Sequence, residues 1–102
     1  MKTGELDSNK LKVEVRGVVI NTKNGIGEKN VTIVIFNKKE NKIVLEFQSG
    51  KDGFFKFELD NSVQYDFIID TKEFHLKKFY IPKGIGWVYI RAQVEPKTKI
   101  YD

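Results

Sequence analysis

The 102-residue sequence predicts an all-β domain, a seven-stranded antiparallel Greek-key β-sandwich. Three observations predict it. Apolar residues recur with period two from Leu11 onward, the period of a strand whose alternate side chains face opposite sides. Clusters of Gly, Asn, Asp and Ser punctuate the chain at short intervals, as hairpin turns require. No stretch combines the 3.6-residue period with the length of a crossover helix, so sequential strands are expected to pair antiparallel.

The opening residues MKTGELDSNK have no periodicity and read as a flexible N-terminal segment, 1–10. The first strand covers about 11–21. In it Leu11, Val13 and Val15 face one way and Lys12, Glu14 and Arg16 the other. Gly17 interrupts it, marking a bulge or a close backbone approach, and Val18-Val19-Ile20 is apolar on both faces, as a central strand would be. The turn formers of 21–30 close this strand. The β-branched run Val31–Phe36 makes the second. After the polar turn 37–41, Ile43, Leu45 and Phe47 alternate with Val44, Glu46 and Gln48 in the third.

Ser49–Gly53 leads into the cleanest alternation of all, with Phe55, Phe57 and Leu59 inward and Lys56 and Glu58 outward. Asp60-Asn61-Ser62 then turns the chain into Val63, Tyr65, Phe67 and Ile69, with Gln64, Asp66 and Asp70 opposite. Two further strands, Phe74–Ile81 and Trp87–Val94, flank the turn 82–86. Asp70 and Glu73 stand at capping-box spacing, so 71–79 also reads as a short helix. The domain is thus expected over 11–95, with 96–102 a C-terminal tail. Its expected core is Val13, Val15, Val19, Ile33, Ile35, Leu45, Phe47, Phe55, Phe57, Leu59, Tyr65, Phe67, Ile69, Val88 and Ile90. Burying each large side chain contributes roughly 1.5–3 kcal/mol before entropy is subtracted, enough for a net stability of about 5–10 kcal/mol.

Composition narrows the function classes. The absence of Cys excludes disulfides, thiolate metal sites and a thiol nucleophile. No apolar run approaches the ~18–20 residues of a membrane-spanning helix, and the first residues contain no apolar signal core. The net charge of +4 sits in the first half, where residues 1–51 hold ten Lys/Arg against six Asp/Glu. That excess falls short of the dense basic stripe of a nucleic-acid binder, and no nucleic-acid partner is expected.

Val15-Arg16-Gly17-Val18-Val19-Ile20-Asn21, Asn24-Gly25 and Asn30-Val31-Thr32-Ile33 are similar to the glycine-containing first strand, the loop and the second strand of the carboxypeptidase regulatory-like domain family. Asp52-Gly53-Phe54-Phe55-Lys56-Phe57-Glu58-Leu59 resembles its central D-G-x-F-x-F-x-L strand, and Gln64–Ile69 followed by Lys72-Glu73-Phe74 its tyrosine segment and aromatic turn. The likeness covers about residues 11–81. It departs at Gly27-Glu28, where the family has Pro-Leu, and at Glu73, where it has Gly. The resemblance implies a transthyretin-like (prealbumin-like) sandwich. It further implies a non-catalytic accessory module of a periplasmic, cell-surface or secreted bacterial protein.

Chemistry-bearing constellations are sparse. His75 is the sole histidine and has no metal-ligand or triad spacing. The transthyretin-like hydrolases of purine breakdown carry several His and Arg residues and a C-terminal Tyr-Arg-Gly-Ser, whereas this chain ends Lys99-Ile100-Tyr101-Asp102. Asp66 and Asp70 share one strand face and form at most a weak cation site, since calcium takes several converging oxygens. Gly25-Ile26-Gly27 and Gly84-Ile85-Gly86 precede strands and not the helix N-terminus a phosphate loop needs. Phe54-Phe55-Lys56-Phe57 echoes an RNA-stacking strand, but alternation leaves only Phe54 free to stack. Lys–Asn crosslinks occur in related-looking pilin sandwiches whose last strand supplies Asn or Asp, and residues 86–94 contain neither. No enzyme activity, cofactor or metal is expected.

The most informative surface is the seventh strand. With Val88, Ile90, Ala92 and Val94 facing in, Trp87, Tyr89, Arg91 and Gln93 face out. Trp87, Tyr89, Arg91 and Phe54 form the candidate binding surface. Aromatic–Arg rows are enriched at protein interfaces and also stack on sugars, while the plainer alternative is that the rings cover the sandwich's own edge. A protein partner is expected first and a carbohydrate second. Edge strands also offer a way for two copies to pair, against which Lys38, Lys39 and Lys42 stand guard.

Overall fold

A computed structural model describes residues 11–97. The alternating segments form seven strands: β1 (Lys12–Asn21), β2 (Thr32–Asn37), β3 (Lys42–Gln48), β4 (Phe54–Asp60), β5 (Tyr65–Ile69), β6 (Lys77–Ile81) and β7 (Trp87–Val94). A three-stranded sheet has the order β4-β1-β7, and a four-stranded sheet the order β3-β2-β5-β6. The segment 1–10 and most of the 96–102 tail lie outside the described residues. Pro96 bridges Phe74, and the Lys97 N–H donates to the Glu73 carbonyl at 2.8 Å.

Every paired neighbour is antiparallel except one. β1 and β7 run parallel, from Glu14 opposite Trp87 to Asn21 opposite Val94. The expectation of antiparallel pairing rested on the lack of a crossover helix. Here the crossover is the rest of the sandwich: the chain leaves β1, builds the four-stranded sheet, adds β4 to the other side of β1 on the way, and returns through 82–86 to lie beside its own first strand.

The core lies between the sheets. Ten of the expected core residues are buried, and Phe67, Ile33, Ile35, Ile69, Val13, Val15 and Val19 are completely so. Leu45, Phe47, Phe57, Leu59 and Val88 are partly buried and pack against them, because β3, β4 and β7 are edge strands with one flank open. Val31, Phe74, Ile81, Ala92 and Val94 complete the interior. Five phenylalanines form a chain through it: Phe57 to Phe47 (4.9 Å between ring centroids), Phe47 to Phe55 (6.2 Å), Phe55 to Phe67 (5.2 Å) and Phe67 to Phe79 (5.7 Å). Their tilted and edge-on packing is the arrangement the ring quadrupole favours.

Some expectations fail for local reasons. Leu11 precedes the first ladder pair and is exposed. Ile43 is exposed because the β2–β3 register shifts between Ile35 and Phe36, displacing it from the row of Leu45 and Phe47. Residues 71–79 are neither a full strand nor a helix. The Thr71 hydroxyl accepts the Phe74 N–H at 3.2 Å, Phe74 plugs the core, and β6 starts only at Lys77.

Two glycines explain close approaches. Gly17 lies opposite both Phe55 and Ile90, and a Cβ there would overlap the Ile90 carbonyl oxygen and the Phe55 ring. Gly53 takes φ +84° after Asp52 at φ 61°, two left-handed residues in succession that favour an Asp-Gly pair. Ser49, read as a turn former, is instead buried. Its hydroxyl donates to the Glu28 carbonyl at 2.6 Å and accepts the Val31 N–H at 3.0 Å, tying the 21–30 loop to β2.

Candidate functional site

The outer face of the three-stranded sheet brings the four candidate residues together. Register places three rows across it: Glu58–Glu14–Trp87, Lys56–Arg16–Tyr89 and Phe54–Val18–Arg91. Neighbouring strands lie roughly 4.8 Å apart, so each row spans about 10 Å. Trp87 is 72% exposed, Phe54 57% and Tyr89 53%. Val18 is buried between Phe54 and Arg91, so those two side chains partly serve to cover it. Trp87 and Tyr89 present far more ring than the sheet needs covered.

Sequence reasoning found the β7 row and Phe54 but missed Glu14 and Arg16, which complete the site. A shallow depression of about 280 Å³ is lined by Glu14, Arg16, Trp87, Val88 and Tyr89. Glu14 accepts from the Arg16 guanidinium at 3.0 Å and lies 3.4 Å from the Lys56 ammonium. The hydrogen bond from Arg16 first, and then that from Lys56 with the charges of both, hold the Glu14 carboxyl below its ordinary value against the smaller opposing effect of desolvation. Glu14 is therefore ionised at neutral pH and a weak base there. Two aromatic rings beside a fixed acceptor and its guanidinium partner suit the recognition of a flat or amphipathic group. The signal that would have found Glu14 and Arg16 is the parallel β1–β7 pairing, which no short-range pattern announces.

The remaining candidates scatter. His75 is exposed before β6, its N–H donating to the Glu95 carbonyl at 2.9 Å. Asp66 is buried on β5 between the ammonium groups of Lys38 (3.6 Å) and Lys78 (3.8 Å), so protein cations already balance it. Asp70 lies four residues further along, roughly 13 Å at strand rise, and the two carboxylates do not converge. Among the described residues no three His, Asp or Glu side chains gather as metal ligands, and no helix is long and apolar enough to cross a membrane. Gly25 and Gly84 take positive φ in turns. Phe55 points into the core and Phe54 out.

No protein-family model and no curated protein matches the chain. Solved structures do resemble it. The Bacillus anthracis TIE protein superposes with a TM-score of 0.65 at 18% identity, over 84% of this chain and 18% of that one. The C-terminal domain of the shaft pilin SpaA from Lactobacillus rhamnosus GG superposes with a TM-score of 0.59 at 12% identity, over 86% of this chain and 100% of that domain. The chain spans less than a fifth of the TIE protein. At these identities the likeness establishes the β-sandwich fold. The carboxypeptidase regulatory-like resemblance narrows accordingly to a shared sandwich architecture.

Proposed function

We propose that this chain is a non-catalytic β-sandwich module of an exported or surface protein, and that the outer face of its three-stranded sheet docks a protein partner. The observation that carries this reading is the exposed Trp87–Tyr89 pair beside the Glu14–Arg16 ion pair, with Arg91 and Phe54 on the same face. Large rigid aromatics and arginines are the side chains that most often anchor protein interfaces. The fold likeness to a shaft pilin domain and to a segment of the TIE protein supports an extracellular setting. So does the motif resemblance to carboxypeptidase regulatory-like domains.

The test replaces Trp87 and Arg91 by Ala, singly and together. Both side chains project from the sheet, so the melting temperature should stay within a few degrees while partner capture from a surface-protein extract falls at least tenfold. A loss of capture that tracks a loss of folding would end the proposal. One observation favours a second reading, a carbohydrate platform: two exposed rings flank a depression floored by a carboxylate and a guanidinium. Glycan-array binding that disappears in Trp87→Ala would select it.

A further inference from the structure

Four strands terminate the two sheets: β4 and β7 in one, β3 and β6 in the other. Proteins blunt such edges with lysines, prolines and bulges, since unpaired backbone groups recruit other strands. β3 carries Lys42 and faces a register shift in β2, β4 carries Lys56, and β6 carries Lys77 and Lys78. β7, WVYIRAQV, is the longest of the four at eight residues. It has no lysine, acid or proline, and its register with β1 runs unbroken. Arg91 is its only charged residue, so among the described residues β7 is the least protected of the four edges.

The backbone polarity of β7 follows from its ladder. The Glu14 N–H donates to the Gly86 carbonyl and the Thr22 N–H to the Val94 carbonyl, eight residues on in both strands. In a regular parallel ladder the even-numbered residues of β7 therefore bond to β1. The N–H and C=O groups of Trp87, Tyr89, Arg91 and Gln93 point to the open edge. Beyond them Glu95 is taken, accepting from the His75 N–H.

We propose that β7 is a homodimerisation edge: two copies join β7 to β7 antiparallel about a two-fold axis at Ile90, fusing two three-stranded sheets into one of six. The four open residues map onto one another under that operation. Tyr89 lies opposite Arg91 of the second copy and Trp87 opposite Gln93, each pair occurring twice, with about eight backbone hydrogen bonds between them. Tyr–Arg pairs across strands are favourable cation–π partners. Shifting the axis to residue 91 sets Arg91 against Arg91, a like-charge pair. Shifting it to residue 89 sets Gln93 against Ile85 in the preceding turn. The interface is short, and each copy carries +4, so the dimer is a weak one that higher salt strengthens by screening. The inference goes beyond the docking face and does not rest on it, because it uses the strand's edge.

Sedimentation equilibrium of the full chain, from about 20 µM to about 1 mM, is expected to show a mean mass rising from monomer towards dimer. Tyr89→Pro removes a donor facing the open edge and leaves the β1 ladder whole, so it should stay monomeric over the same range. Tyr89→Ala keeps the donor and should still dimerise, more weakly. Amide hydrogen exchange at Tyr89 and Arg91 should slow as concentration rises. A wild-type chain that is purely monomeric at the highest concentration would overturn the proposal. So would a dimer equally strong in Tyr89→Pro, or one whose edge amides stay unprotected. Should Tyr89→Pro itself lower the melting temperature, Gln93→Pro repeats the test at the other end of the pairing, and the wild-type exchange pattern decides without any variant.

Discussion

Gly17→Ala tests the packing at the centre of the sheet, because two effects of opposite sign compete there. Alanine in place of glycine removes backbone freedom from the unfolded chain and by itself stabilises a strand by about 0.5–1 kcal/mol. In the folded chain the added Cβ would overlap the Ile90 carbonyl oxygen and the ring end of Phe55. The ring can swing. The carbonyl cannot, since it belongs to the ladder that binds β7 to β1. Overpacking of this kind costs roughly 1–3 kcal/mol, and two weakened ladder hydrogen bonds add about 1 kcal/mol each. The net effect is a loss of about 3 kcal/mol, which lowers the melting temperature by roughly 12–24 °C for a domain of this size. Thermal unfolding followed by far-ultraviolet circular dichroism measures it. Phe55→Ala removes the flexible obstacle but, as a core truncation, costs about 3–5 kcal/mol by itself. The informative quantity is therefore the coupling in a double-mutant cycle, which should be small because the rigid obstacle remains. A Gly17→Ala protein that melts at or above the wild-type temperature would refute the close β1–β7 approach.

Two further substitutions probe polar groups inside the fold. Ser49→Ala strands the Val31 N–H and the Glu28 carbonyl from their side-chain partner. Urea denaturation should show a loss of about 2–3 kcal/mol, with the slope unchanged. Tyr65→Phe removes the hydrogen bond from the buried hydroxyl to the Asp60 carbonyl, 2.8 Å long, and should cost about 1 kcal/mol at neutral pH. Burial raises the Tyr65 phenol above its ordinary value of 10.0, so the unfolded chain ionises first as pH rises. The stabilisation is complete below pH 10 and is lost as pH climbs from there through the folded value. The wild type should therefore lose its advantage over Tyr65→Phe above pH 10 in melts taken across the alkaline range.

Much of the fold was legible because burial between two sheets imposes a period of two on each strand. Val13, Val15, Ile33, Ile35, Phe67 and Ile69 alternate in sequence and are buried in the structure for that one reason. What periodicity misses is anything set by a neighbouring strand. Ile43 obeys the alternation of its own segment and is still exposed, because the register shift lies in the β2–β3 pairing. Ser49 sits in a segment with turn-like composition and Phe74 where a strand and a helix reading compete, and their burial comes from the loops that close over them.

The candidate site divides along the same line. Local alternation alone assigns Trp87, Tyr89 and Arg91 to the outside of β7 once Val88, Ile90, Ala92 and Val94 turn in. Which side chains they meet is a matter of sheet order. Glu14 and Arg16 precede Trp87 and Tyr89 by more than 70 residues in sequence and become their lateral neighbours only because the last strand returns parallel to the first. The same return leaves β7 with one flank bonded and the other open. The proposed recognition face and the proposed pairing edge thus have one topological cause: both follow from β7 closing the sheet against β1 while no eighth strand, among the described residues, closes it against β7.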